Sequence, residues 1–205
     1  MAKAFSGHNK FKEFEVMLTR RKLFRTAAIT LGAAPLAATA ASKKNRPERM
    51  PVQVGDVLAF PSWEQEGRLV KASEVQTGAK PLTVFPHDKA LEVTRERYRL
   101  NQLLLVRLEA SDLDEDTLAR SADGLLVYSG TCTHTACAVT EWDAAKQHFI
   151  CPCHSSEFDP KNRAKVINGP ATRSLPSLEV KLVDDLIVVA GGFSGKVGAK
   201  KKPGF

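Results

Sequence analysis

A chain of 205 residues, 43% hydrophobic and 26% charged, has room for one globular domain with tails, and it carries no internal repeat. The net charge is +7, but the basic residues concentrate in 1–49 and 196–205 and leave the body, 50–195, net acidic. That distribution removes the basic balance as an argument for nucleic-acid binding, and no nucleic-acid partner is expected; an acidic body suits a basic partner or plain solvation.

In chain order, Thr19-Arg20-Arg21-Lys22-Leu23-Phe24 resembles the twin-arginine export motif. An uncharged, Ala-rich run from Thr26 to Ser42 follows, with Ala38-Thr39-Ala40 at cleavage-type spacing. Residues 1–40 therefore read as an export signal. As a helix the run would span about 25 Å against a hydrocarbon core of about 30 Å. Cleavage near Ala40 is the expectation, and an uncleaved membrane anchor is the alternative. Residues 41–50 read as a linker.

From 51 to 195 short strand signals dominate: Val52 to Phe60, Arg68 to Lys71, Pro81 to Phe85, Gln102 to Leu108, Gly124 to Ser129 and Gln147 to Ile150. Pro86-His87-Asp88 reads as a turn, and 88–101 is too charged to assign. Ser111 to Arg120, acidic first and basic last, predicts a short helix. Gly169-Pro170-Ala171 marks a turn. Leu178–Val183 and Leu186–Ala190, joined at Asp184-Asp185, predict a hairpin with its apolar face inward. Trp63 and Trp142 read as packing residues, and His87 and His148 as ordinary surface or strand-edge residues. The basic stretch 196–205 reads as a flexible tail.

The chemistry concentrates in one stretch. All four cysteines and two of the five histidines lie in Cys132-Thr133-His134-Thr135-Ala136-Cys137 and Cys151-Pro152-Cys153-His154-Ser155-Ser156-Glu157-Phe158. Each half holds one Cys close to one His, Cys132-x-His134 and Cys151-x-x-His154, and one further Cys. Thiolates with imidazoles suit zinc or iron–sulfur chemistry. A structural zinc site of two Cys and two His is open to these residues, although neither half offers a C-x-x-C knuckle.

The pattern C-x-H…C-x-x-H resembles the Rieske family. The resemblance implies an all-β fold, a small antiparallel β-sandwich with two cluster-binding loops at one end, spread over 51–195. It implies one [2Fe–2S] cluster per chain, with Cys132 and Cys151 on the inner iron and His134 and His154 on the outer. It also implies a Cys137–Cys153 disulfide clamping the two loops, as in the family's exported branch; two free buried thiols are the alternative. Such a pair suits an oxidising compartment, in keeping with periplasmic export.

Departures from the family pattern C-T-H-L-G-C…C-P-C-H-G-S-x-Y bear on partner and potential. Thr135 and Ala136 stand for Leu and Gly, and Ser155 for Gly. Ser156 keeps the hydroxyl expected to bond a bridging sulfide, while Phe158 lacks the Tyr hydroxyl of quinol-oxidising members. Within the family the stretch is similar to the arsenite oxidase small subunit. That likeness implies an electron-transfer subunit, not a catalyst on its own, serving a larger redox subunit, molybdenum-containing in that case, and a cytochrome c or similar acceptor. The alternative is the Rieske subunit of a cytochrome bc-type complex, partnered by cytochrome b and c1-type subunits.

Overall fold

The computed structural model describes residues 46–200; the export segment, the start of the linker and the last five residues lie outside them. Eleven strands form two antiparallel sheets. In chain order they are β1 (Val57–Ala59), β2 (Leu82–Asp88), β3 (Val93–Thr94), β4 (Leu103–Arg107), β5 (Leu125–Ser129), β6 (Glu141–Asp143), β7 (His148–Cys151), β8 (Ser156–Asp159), β9 (Lys165–Asn168), β10 (Ser177–Val183) and β11 (Leu186–Phe193). Two single-turn helices, α1 (Ser62–Gln65) and α2 (Glu115–Leu118), sit in connections. The second starts where Asp114 accepts a bond from the Thr117 amide, satisfying one of the helix's free N–H groups.

The larger sheet runs β1-β11-β10-β5-β4-β2-β3, and β1 also pairs with β2, so six strands close into a barrel with β3 on its rim. Closure removes most of the unpaired edge that an open sheet would leave. The smaller sheet, β6-β7-β8-β9, is inserted between β5 and β10. The expected all-β, antiparallel, two-sheet architecture is present, with its larger layer rolled into a barrel.

The wall between the two units is β4 with β5. Side chains alternate faces along a strand, and here both faces are covered. Leu103, Leu105, Leu125 and Val127 point into the barrel core with Leu58, Val84 and Ile187. Leu104, Val106, Leu126 and Tyr128 point the other way, into a second core with Phe149, Phe158, Cys132 and Cys151. That is why Leu103–Val106 is an uninterrupted apolar run where a half-exposed strand would alternate. It also fixes the small sheet, and the loops it carries, against a rigid support.

Several local expectations are corrected. Pro86-His87-Asp88 is not a turn but the end of β2, paired with β1 through Leu58↔Pro86 and Val57↔His87. The chain reverses later, where Glu92 takes a left-handed φ of 52°. Behind the shift is Arg95, 1% exposed, in the segment left unassigned. Its guanidinium donates to Asp56 at 2.9 Å, Asp88 at 2.7 Å and the Pro47 carbonyl at 3.0 Å. Two carboxylates and a carbonyl compensate the buried cation, and removing one partner of such a group costs about 3–5 kcal/mol. Asn101 completes the clasp by bonding the backbone of Met50, Val52 and Arg95, so the end of the linker is pinned on the barrel. Trp63, expected to pack, is 66% exposed and meets only the edge of Phe85. Of the expected flexible tail, residues 196–200 are held instead: Arg173 donates to the carbonyls of Lys196 and Gly198.

Candidate metal centre

Two loops carry the cysteines and histidines, one leading into the small sheet and one within it. The first follows β5 and carries 130–140; the second joins β7 to β8 and carries 152–155. They fold alike. The amide of Ala136 bonds the carbonyl of Cys132 at 3.0 Å, and the amide of Ser155 bonds that of Cys151 at 2.9 Å. In both, the residue four past the cysteine is left-handed, Ala136 at φ 64° and Ser155 at φ 54°. Those are the positions where the sequence pattern has glycine, the residue that adopts this conformation without a Cβ penalty. Here Ala136 and Ser155 take up that left-handed conformation themselves.

Each loop buries its cysteine and lifts its histidine. Cys132 and Cys151 are each 1% exposed and unbridged. His134 is half-buried and His154 exposed. Their rings meet edge to face with centroids 4.7 Å apart. Cys137 and Cys153 form a disulfide that ties the loops together. The sulfurs of Cys137, Cys151 and Cys153 lie within 4.8 Å of one another, but two of them are bonded to each other, which leaves Cys151 as the thiol of that group.

A third segment covers the pair, and the sequence had marked it only as a turn. Gly169 has φ 84°, and a Cβ there would fall 2.6 Å from Ser156 Cα and 2.7 Å from the Ser155 carbonyl, so only glycine lets the chain cross this close. Two residues on, the Ala171 amide donates to Ser156 Oγ at 3.2 Å. Thr133 Oγ1 donates to the Arg173 carbonyl at 2.6 Å. The residues beside His134 and His154 are thus tied to one strap, 169–173. The Gly169-Pro170 dipeptide hints at it; nothing in the sequence announces Thr133 or Arg173.

The donor set fits a [2Fe–2S] group with two sulfur and two nitrogen ligands. Nδ1 of His134 is buried with no hydrogen-bond partner, which leaves it open to a ligand; Nδ1 of His148 is also without one but lies on β7, away from both loops. Burial pushes the Cys132 thiol up; the His134 amide opposes this, and the neighbouring Cys151 sulfur adds to the rise. Two thiols side by side in a core therefore gain their charge most readily against a metal. Ser156 is buried, and because its oxygen accepts from Ala171 its proton is free to be donated. Phe158 is fully buried across from Phe149 in the second core. Trp142 packs on Phe149 in the same core. His87 and His148 stand on β2 and β7, outside both loops, with His87 Nδ1 against Thr94 and His148 Nδ1 3.8 Å from Glu157.

Residues 65–179 match the family model for the Rieske [2Fe-2S] domain. The cytochrome bc1 complex Rieske iron-sulfur subunit of Streptomyces coelicolor is 30% identical over 208 residues, covering 93% of this chain and 57% of that protein. A protein of Haloferax mediterranei named as the Rieske subunit of a respiratory nitrate reductase is 32% identical over 136 residues, covering 65% of this chain and 57% of that protein. The chain spans just over half the length of these curated relatives. Among solved structures, the plasma membrane Rieske protein of Synechocystis PCC 6803 is similar at 24% identity and a TM-score of 0.35, covering 53% of this chain and 86% of that chain.

Proposed function

The chain belongs to the Rieske [2Fe–2S] family, and from that premise we propose that it is the one-electron carrier subunit of a larger redox complex, with Cys132, His134, Cys151 and His154 holding the cluster. Family membership removes the zinc alternative. When bound, the cluster takes up and releases one electron, at about −150 to +300 mV for this ligand type. The protein's own part is positional. Cys132 and Cys151, buried in the second core, would hold the group away from water, while half-buried His134 and exposed His154 would bind it on the side open to a partner. The disulfide and the 169–173 strap hold the two loops at a set distance. The observation that carries the proposal is the convergence of two buried free thiols, two touching imidazoles and a partnerless His134 Nδ1.

The relatives favour a complex of the cytochrome bc1 type, in which the cluster end meets cytochrome b and c1-type subunits. The second reading, a carrier beside a molybdenum-containing subunit that delivers electrons to a cytochrome c or similar acceptor, is favoured by Phe158 and by exposed Thr135, both departures from the quinol-oxidising pattern. None of the relatives reported above is an arsenite oxidase subunit. We further propose periplasmic placement by the twin-arginine route; its motif, Arg20-Arg21, lies outside the described residues, and the disulfide suits an oxidising compartment. Among the described residues no helix is long and apolar enough to cross a membrane.

Cys132→Ser or His154→Ala should abolish the red-brown colour and the paramagnetic signal of the reduced state, while His87→Ala and His148→Ala keep both. A signal that survives loss of Cys132 would exclude the ligand assignment. Cells carrying His154→Ala should then lose quinol-dependent cytochrome c reduction if the bc-type reading holds. If that activity persists while a molybdenum enzyme is disabled, the second reading replaces it.

A further inference from the structure

Although the body is net acidic, several cations gather beside the first cluster loop. Arg99 is exposed and reaches the first loop, donating to the Ala136 carbonyl at 3.1 Å. Arg173 lies in the strap, its carbonyl bonded by Thr133 and its guanidinium bonded to the carbonyls of Lys196 and Gly198. Through that grip the 196–200 segment is laid on the first loop. A Cβ on Gly198 would lie 3.4 Å from Thr131 Cγ2 and 3.7 Å from Ala136 Cβ. Lys196 and Lys200 are exposed on either side of that contact, and Lys201 and Lys202 follow in the sequence. Among the described residues none of Arg99, Arg173, Lys196 and Lys200 is in an ion pair; eight other cations, Lys80 and Lys181 among them, are also unpaired, but only these four reach the first loop or belong to its strap and the segment laid on it. The tail segment is therefore a built part of the cluster face.

Resting on the carrier reading above, we infer that this basic rim, Arg99, Arg173, Lys196 and Lys200, is the docking surface for a redox protein whose own electron-exchange face is acidic. Cations beside the point of electron exit steer an oppositely charged partner and orient it on arrival, while the net acidic remainder of the body disfavours its approach. By itself an acidic body suits a basic partner or plain solvation; the fold adds the cations that the chain brings to the first loop. Arg173 is a positioning residue here, since it holds the segment that carries the lysines against the first loop at Thr131 and Ala136.

The test uses the full-length, cluster-loaded protein and two soluble cytochromes c as electron acceptors, one acidic and one basic, followed by stopped-flow. The second-order rate with the acidic acceptor should fall as salt rises, since exposed charges are screened within about 10 Å at 0.1 M. Lys196→Gln with Lys200→Gln should lower that rate by about tenfold at low salt and flatten its salt dependence. The midpoint potential and paramagnetic signal should not change. Arg173→Met should reproduce the rate loss, and Arg173→Lys should restore it in part. A salt-independent rate with the acidic acceptor, or a double variant that matches the parent, overturns the inference. So does a double variant that loses binding to phosphatidylglycerol vesicles while its rate with the acidic acceptor is unchanged, which would assign the rim to a lipid surface. A chain with no reducible cluster overturns the carrier reading as well; a reducible cluster with salt-insensitive transfer overturns this one alone.

Discussion

Gly169→Ala puts one methyl group where the strap crosses the second loop. The new Cβ would fall 2.6 Å from Ser156 Cα, 2.7 Å from the Ser155 carbonyl and 2.9 Å from the Ser156 nitrogen. All three are backbone atoms, so no side chain can swing away. The residue also holds φ 84°, and a left-handed conformation costs an L-residue about 1–2 kcal/mol. Overpacking adds about 1–3 kcal/mol. Together the change is about 2–5 kcal/mol, a large share of a typical stability of about 5–15 kcal/mol. At about 2–4 °C per kcal/mol for a chain of this size, the thermal midpoint should drop by roughly 4–20 °C. The strap can escape only by lifting, which breaks the Ala171–Ser156 and Thr133–Arg173 bonds, so the cluster should bleach faster on dilution into chelator. Gly192→Ala is the internal control, because a Cβ there meets nothing within 4 Å. Scanning calorimetry with parallel absorbance decay reads both variants. A Gly169→Ala midpoint within 1–2 °C of the parent's, with unchanged bleaching, would refute the close-crossing account.

Replacing Cys137 and Cys153 together by Ala opens a link of sequence separation 16, which should cost about 3 kcal/mol in chain entropy and leave the cluster labile; thiol counting on the unfolded, unreduced parent should find neither sulfur free. Ser156→Ala should lower the midpoint potential by about 65–130 mV, since one hydrogen bond to a charged acceptor is worth about 1.5–3 kcal/mol and 59 mV is a factor of ten for one electron. Phe158→Tyr should raise it by a similar amount, and film voltammetry on the two variants reads the signs. Ala136→Gly should stabilise the first loop by about 0.5–1 kcal/mol, because glycine adopts φ 64° without strain; an unchanged or lowered thermal midpoint would count against that.

The spacing of Cys132, His134, Cys151 and His154 was legible because ligands must come in pairs within a few bonds of each other, and that pairing is local. The same holds for the β10–β11 hairpin around Asp184-Asp185, whose turn and period-2 pattern lie within 20 residues. The Leu103–Val106 run could be read as a buried strand, but not as a wall with two cores, since that depends on what covers each face. Other features rest on partners far along the chain. Arg95 is buried only because Asp56 and the linker reach it from about 40 residues away. Pro86 sits in a strand because β1 pairs with it. Gly169 must be glycine because another loop's backbone crosses it. The last residues described are part of the cluster face because Arg173 holds them there. Local spacing marked the candidate ligands, whereas long-range contacts decided the strap that braces their loops and brought the 196–200 segment against the first of them.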